Sequence, residues 1–261
     1  MSIVFVCVVF ALSLAWTSVL STIAHALLKE RSLLQVSHPC HSCDARTSWY
    51  DTIPIISYVF LGGKCRYCTS PQFSLYNNFN YINPAFAYAA LDFIGAVILT
   101  SHFFLEIVIF YSASLLFFTK FLFISILFIS IRTDLQELSI LRASSLYFVP
   151  VWFFFATINF LEINLYTSFF GAILGYFIPW IVGRLYYFLR RVDGIGEGDF
   201  ELLAMIGAFL GPIRMIYSMA LGSGLAISVV LVFAVLFSTG RNIRIPFGPF
   251  LAAGAIFELF R

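Results

Sequence analysis

The stretch Asp193-Gly-Ile-Gly-Glu-Gly-Asp199 opens the apolar run Phe200 to Leu210, in which Glu201 is the one charge. A carboxylate flanked by small residues at the start of an apolar helix is costly at the edge of a membrane. Such a group therefore reads as functional and calls for a partner acid or cation. Asp134, which follows another long apolar run, is the candidate partner.

The rest of the chain supports a membrane setting. Of its 261 residues, 61% are hydrophobic and 11% charged, with a mean hydropathy of +0.95. That excludes an ordinary soluble domain and predicts an all-α polytopic membrane protein. Fifteen basic residues against 13 acidic ones leave no basic field of the kind that binds nucleic acid. The run 3–28 is too long for a signal-peptide core and has no basic segment before it, so it reads as a first transmembrane helix.

A span needs roughly 20 apolar residues. By that measure about eight spans are expected, at about 3–27, 82–101, 104–131, 143–161, 165–188, 200–213, 215–237 and 247–260, of which the sixth and eighth are short. With the N-terminus outside, the inward segments carry Lys29, Arg31, Arg46, Lys64, Arg66, Arg132, Arg142, Arg184, Arg190, Arg191, Arg241 and Arg244. The outward side then keeps only Arg214 and Arg261, as the positive-inside rule prefers. Lys120 falls inside the third span. In this topology Asp134 ends span three and Asp199 begins span six, so the two carboxylates share one depth on the cytoplasmic side. The expected organisation is a first helix over 1–28, a polar cytoplasmic domain over 29–81 and a membrane bundle over 82–261.

The polar domain carries Cys40-His-Ser-Cys43 and Cys65-Arg-Tyr-Cys68, with 21 residues between the pairs. Two CxxC turns can supply four thiolates to one tetrahedral zinc, and soft anionic sulfur favours zinc over magnesium or calcium. About 50 residues bury too little apolar area for a stable core, so metal binding would supply folding free energy. Disulfides are disfavoured in a cytoplasmic segment. His38 and His41 are alternative ligands that four thiols make unnecessary, and Cys7 reads as a small packing residue.

These motifs together resemble the type IV prepilin peptidase family of membrane aspartic proteases. The resemblance rests on His38-Pro-Cys-His-Ser-Cys43, Trp49-Tyr-Asp-Thr-Ile-Pro-Ile-Ile-Ser57, Gly63-Lys-Cys-Arg-Tyr-Cys68, the GxGD signature Gly196-Glu-Gly-Asp199 with Leu202 to Gly211 after it, and Ile245-Pro-Phe-Gly-Pro249. It implies that Asp134 and Asp199 are the catalytic pair and Gly196 and Gly198 the active-site loop. It also implies substrates inserted in the bilayer, the prepilins and type II secretion pseudopilins. Their basic leaders would be cut at the cytoplasmic face of a bacterial inner membrane, and S-adenosylmethionine would methylate the new N-terminus. Independently of the family, two aspartates suit peptide hydrolysis: one deprotonates water while the other, protonated, polarises the scissile carbonyl.

Four segments depart from the family pattern. Thr17-Ser-Val-Leu-Ser21 stands where a glycine-led, Asn-ended segment is usual, and Asn77-Asn78-Phe79-Asn80 replaces a glutamate-containing one; both bear on methyl transfer. Leu141-Arg142 replaces a proline-acid step, and Glu201 stands at a position commonly lysine; both lie near the carboxylate pair. Asp193, Glu197 and Glu201 are acids that can attract a basic leader, the first two more simply as solvated loop charges. Asp92 and Glu106 are rival acids expected nearer the outer side. Simpler roles remain for the pair: Asp199 can cap its helix, and Asp134 can pair with Arg132 or Arg142. Competing functions are an ion-coupled transporter using Asp134 and Asp199 and a non-catalytic assembly factor. GxxxG spacings at Gly171/Gly175 and Gly207/Gly211 are expected to serve packing within one chain rather than dimerisation.

Overall fold

The computed structural model describes residues 3–28, 43, 45, 60–62, 64–70, 84–105, 115–192, 194–237 and 246–261. Among them the helices are α1 (Ile3–Leu28), α2 (Pro84–Phe103), α3 (Leu115–Glu137), α4 (Val149–Thr157), α5 (Leu165–Arg190), α6 (Glu197–Leu210), α7 (Pro212–Phe237) and α8 (Gly248–Phe260), with two 3₁₀ turns at Arg142–Ser144 and Leu146–Phe148. The protein is an all-α helical membrane protein. Among the described residues four stretches, Val4–Leu28, Leu116–Glu137, Leu165–Arg190 and Pro212–Val232, are long and apolar enough to cross a bilayer.

The helices follow most of the expected apolar runs, with physical reasons for the differences. Expected span four, 143–161, resolves into two 3₁₀ turns and a nine-residue helix with proline in its first turn. At 1.5 Å per residue that helix covers only about 14 Å. α6 and α8, with 14 and 13 residues, reach about 20 Å each, short of a hydrocarbon core of about 30 Å. α3 runs six residues beyond its expected end, so Asp134 sits within its last turn.

The chain divides into two compact units, Met1–Ala113 and Ser114–Arg261. In the first, α1 packs on α2 along a seam of small polar side chains. Thr17 Oγ1 donates to the Asp92 carbonyl at 3.1 Å and Ser21 Oγ donates to Asp92 Oδ1 at 2.6 Å. Asp92 is fully buried and belongs to this seam. Cys7, expected inside, is exposed on α1.

The second unit is built around α6. Every residue from Phe200 to Leu210 is buried, as a helix apolar all round requires. α5 and α6 meet backbone to backbone: a Cβ on Gly171 would collide with the Gly207 carbonyl, and one on Gly175 with the Leu203 carbonyl. Both expected GxxxG spacings thus involve packing within one chain. On another side Phe209 stacks on Phe123 of α3, with centroids 4.0 Å apart, and meets Trp152 of α4 edge-on at 4.8 Å. α7 and α8 approach as closely, with Gly254 against the Ser218 carbonyl.

One end of this unit is closed by ions. Lys120 Nζ lies 3.0 Å from Glu162 Oε1, and Arg214 Nη1 donates to Glu162 Oε2 at 3.0 Å. Lys120, the lysine inside an apolar run, therefore has its counter-ion in the α4–α5 connection. Burial pushes the Glu162 carboxyl up, but the two cations outweigh it and hold the carboxyl below its usual range. A depressed carboxyl stabilises the fold fully above its unfolded pKa of about 4.3 and loses that contribution as pH falls through the folded value.

Two predictions follow from this packing. Gly207→Leu should lower thermal stability by at least about 1–3 kcal/mol, the usual cost of overpacking, measured as the melting temperature in detergent. Glu162→Gln should cost up to about 1 kcal/mol at neutral pH, as half-exposed ion pairs do, and should narrow the gap to wild type in melts near pH 4.

Candidate active site and metal centre

Three helix termini converge at the other end of the second unit. Asp134 is in the last turn of α3, Asp199 in the first turn of α6, and Gly248 starts α8. Lys120 is 14 residues before Asp134 on α3, about 21 Å along the axis. The acid pair and the ion cluster thus occupy opposite ends of the bundle.

Each carboxylate is held by backbone. α3 stops after Asp134 because Leu138 takes a left-handed conformation, φ 52°, and its N–H donates to the Asp134 carbonyl at 2.9 Å, a helix-ending arrangement. The Asp134 side chain is 5% exposed, and its Oδ2 accepts the Gly248 N–H at 2.8 Å. A Cβ on Gly248 would stand 2.9 Å from that oxygen, so only glycine lets the backbone approach this closely. Asp199 stands at the third helical position, its Oδ2 beside the backbone of the capping Gly196 and its N–H donating to the Gly196 carbonyl at 3.2 Å.

The two carboxylates face one cleft and are near enough to interact electrostatically. The cleft has a volume of about 940 Å³; its walls include Ile140, Pro179, Val182, Ile195, Leu203 and Met219, with Gly196 and Gly198 at the mouth of α6. An apolar cleft with a few converging polar groups is the usual form of a small ligand or peptide site. The two loop glycines differ in purpose. A Cβ on Gly198 would lie 2.9 Å from Ile140 Cβ, so its bareness allows the loop after Asp134 to pack on the start of α6. Gly196 has an ordinary extended backbone, φ −73° and ψ 149°.

Asp199 stands in the first turn of α6 and lines the cleft with Asp134. Arg142 pairs with Glu201, Nε to Oε1 at 2.9 Å, and lies 3.8 Å from Glu197 Oε2. The residues that depart from the resembled pattern at 142 and 201 are bonded to each other. Glu201, expected among acids drawing a basic leader, is instead buried and engaged, its Oε2 also accepting Ser145 Oγ at 3.3 Å. Glu197 is the first residue of α6 rather than a loop residue; its side chain is exposed and lines the cleft. Asp193 and Glu106 lie outside the described residues. The Gly248 contact was not read from the sequence; the Ile245 to Pro249 motif was its only signal.

In the first unit, one sulfur each from Cys43, Cys65 and Cys68 lies within 4.8 Å of the others. Cys43 Sγ is 4.0 Å from Cys65 Sγ. Zn–S bonds of about 2.3 Å in a tetrahedron put sulfurs about 3.8 Å apart, so the spacing fits a metal. The second CxxC folds as a tight turn: Thr69 N–H donates to the Cys65 carbonyl at 3.0 Å, and Tyr67 N–H points to Cys65 Sγ at 3.4 Å. Cys40, His38 and His41 lie outside the described residues.

A helical membrane bundle with paired acids at converging helix ends, and a separate cysteine cluster, defines a class of membrane protein rather than one activity. The comparisons narrow it. Residues 11–93 match the family described as the Bacterial Peptidase A24 N-terminal domain, and residues 121–238 match the Type IV leader peptidase family. A Prepilin leader peptidase/N-methyltransferase of Burkholderia pseudomallei is 30% identical over 227 residues, covering 85% of this chain and 66% of that protein. Proteins of the same name from Bacillus subtilis and Pseudomonas aeruginosa are each 27% identical, covering 86% and 85% of this chain and 82% and 70% of their own lengths. No solved structure matches significantly. The chain belongs to the type IV prepilin leader peptidase family, and it spans just under two thirds of the length of the Burkholderia relative.

The cysteine cluster makes a direct prediction. Cobalt(II) added to the reduced protein should give thiolate-to-cobalt charge-transfer absorption that zinc abolishes, and Cys65→Ser should weaken it severely. A wild-type protein without that absorption would exclude the metal site.

Proposed function

We propose that this protein is a membrane aspartic endopeptidase that removes the basic leader of type IV prepilins and type II secretion pseudopilins. The observation that carries the reading is the placement of Asp134 and Asp199 in one apolar cleft, Asp134 held by the Gly248 N–H and Asp199 at the start of α6 beside Gly196. Two carboxylates that interact across one cleft can share a proton. The ionised one takes a proton from water, which attacks the scissile carbonyl; the protonated one donates to the carbonyl oxygen and stabilises the charge that develops there. The roles belong to the pair, because it titrates as a unit. The Gly248 N–H directs one Asp134 oxygen and leaves the other for water or substrate. The apolar walls suit a peptide whose segment after the cut is a membrane helix.

The reading extends to the membrane. About eight spans, an outside N-terminus and a bacterial inner-membrane location fit the basic-residue distribution and put the cleft at the cytoplasmic face. The proposed organisation is a first helix over 1–28, a cysteine domain over 29–81 and a peptidase bundle over 82–261, in contact with lipid and with membrane-inserted substrate. Cys40, Cys43, Cys65 and Cys68 would hold a structural zinc, which supplies folding free energy to its domain and no chemistry to the cleft. S-adenosylmethionine would supply a methyl group to the new N-terminus. The glycine-rich strand-to-helix turn that cradles dinucleotides has no counterpart among the described residues, and no step is assigned to that cofactor.

The test is the N-terminal mass of a prepilin incubated with the purified protein in lipid, with and without S-adenosylmethionine. Leader loss is expected, and a further methyl would add the transfer activity. Asp134→Asn or Asp199→Asn should lower cleavage about 10³-fold or more, as loss of one member of a catalytic unit does. Gly248→Ala should lower it about tenfold to a hundredfold by displacing Asp134. Full activity in either Asn variant overturns the dyad, and an uncut substrate moves the acids to an ion-coupling role.

A further inference from the structure

The carboxylate of Glu201 is buried two residues beyond Asp199, yet it does not face the cleft. Both of its oxygens are engaged from the segment that follows Asp134: Oε1 by Arg142 Nε at 2.9 Å, Oε2 by Ser145 Oγ at 3.3 Å. That segment is itself compact. Leu138 N–H closes on the Asp134 carbonyl, the Ser144 hydroxyl returns to the Leu141 carbonyl at 3.0 Å, and the single Ser145 hydroxyl proton is shared between that carbonyl, also 3.0 Å away, and Glu201 Oε2. Ile140, between Asp134 and Arg142, packs against Gly198, the residue before Asp199. The side chain of Glu201 is 7% exposed, and that of Arg142 is 64% exposed.

We propose that Glu201 is a positioning residue, pinned by Arg142 and Ser145 so that the start of α6 and the end of α3 hold Asp199 and Asp134 at working separation. The physical case is one of leverage. Asp134 and Asp199 lie on different helices, with more than 60 residues of chain between them. The Glu201 bonds are a polar tie between the segments bearing the two acids, made within a turn of Asp199 and in the segment that follows Asp134. A half-buried ion pair whose acid is desolvated is costly to break, because removing the cation leaves a buried charge with only a hydroxyl for partner. The separation of the acids decides whether one water bridges them, and misplacement by about 1 Å can cost about 10²-fold in rate. Arg142 does not enter the cleft; it acts through Glu201.

The proposal rests on the peptidase reading, and its experiment separates the two. Arg142→Ala, Glu201→Gln and the reversed pair Arg142→Glu/Glu201→Lys are compared with wild type for kcat, KM and melting temperature. Arg142→Ala and Glu201→Gln should each lower kcat about tenfold or more, with KM within about twofold and little change in melting temperature; the reversed pair should recover most of the loss. A second readout needs no activity. In an Asp134→Cys/Asp199→Cys background, the yield of the 134–199 cross-link under mild oxidation, quantified by peptide mass, should fall severalfold with Arg142→Ala and return in the reversed pair. Unchanged cross-linking overturns the positioning role whether or not the protein cleaves a prepilin. A kcat that falls only in step with melting temperature also overturns it. If wild type cleaves nothing while cross-linking responds as expected, the tie stands and the peptidase reading falls.

Discussion

An ionised side chain in an apolar bundle must have a partner, and that constraint arranges the second half of this protein. Its acids and bases collect at two ends of one unit. At one end Lys120, Glu162 and Arg214 neutralise each other across α3, the α4–α5 connection and the start of α7. At the other, Arg142 and Glu201 pair beside Asp134 and Asp199. Between them the wall is apolar, glycine or hydroxyl-bearing, as at Ser125, Ser168 and Ser218, and α6 runs through it buried on every side. Charges cannot occupy the middle without a desolvation cost that short connections cannot repay.

The cleft depends on the same packing. Gly171 and Gly175 let α5 lie directly on the α6 backbone, which fixes where Asp199 emerges. Gly248 lets the start of α8 touch Asp134, and Gly198 lets the loop after α3 touch the start of α6. Each glycine works by lacking a Cβ at a contact. Rigid backbone, rather than long flexible side chains, thereby holds both carboxylates, which suits a site whose groups must keep a narrow separation. The cysteine cluster follows a separate logic: a small polar segment with little apolar area, whose sulfurs lie at metal-binding distances.

Much of this was legible in the chain. Long apolar runs announced the helices, because a bilayer demands unbroken apolar length. The GxGD stretch marked Asp199, and the apolar run before it marked Asp134 as the acid at matching depth. The paired CxxC motifs marked a metal site, of which three cysteines fall among the described residues. The short elements were less legible. Residues 143–161 are apolar enough for a span, yet they fold as two turns and a nine-residue helix. Composition reports hydrophobicity, whereas the path of the chain depends on Pro150 and on contacts made by Trp152 with Phe123 and Phe209.

By itself the sequence determined what is encoded locally: helical membrane character, the residue types of the acid pair, and thiols spaced for a shared metal. Only the tertiary structure decided which groups answer one another. It gave Lys120 to Glu162, turned Glu201 from an acid facing substrate into the partner of Arg142 and Ser145, and put the Gly248 N–H on Asp134. Those partners are separated by 42, 59, 56 and 114 positions. Local propensity carries no information about which helix end will close on which. That is settled when the apolar faces pack and each buried polar group is left only the partners within its reach.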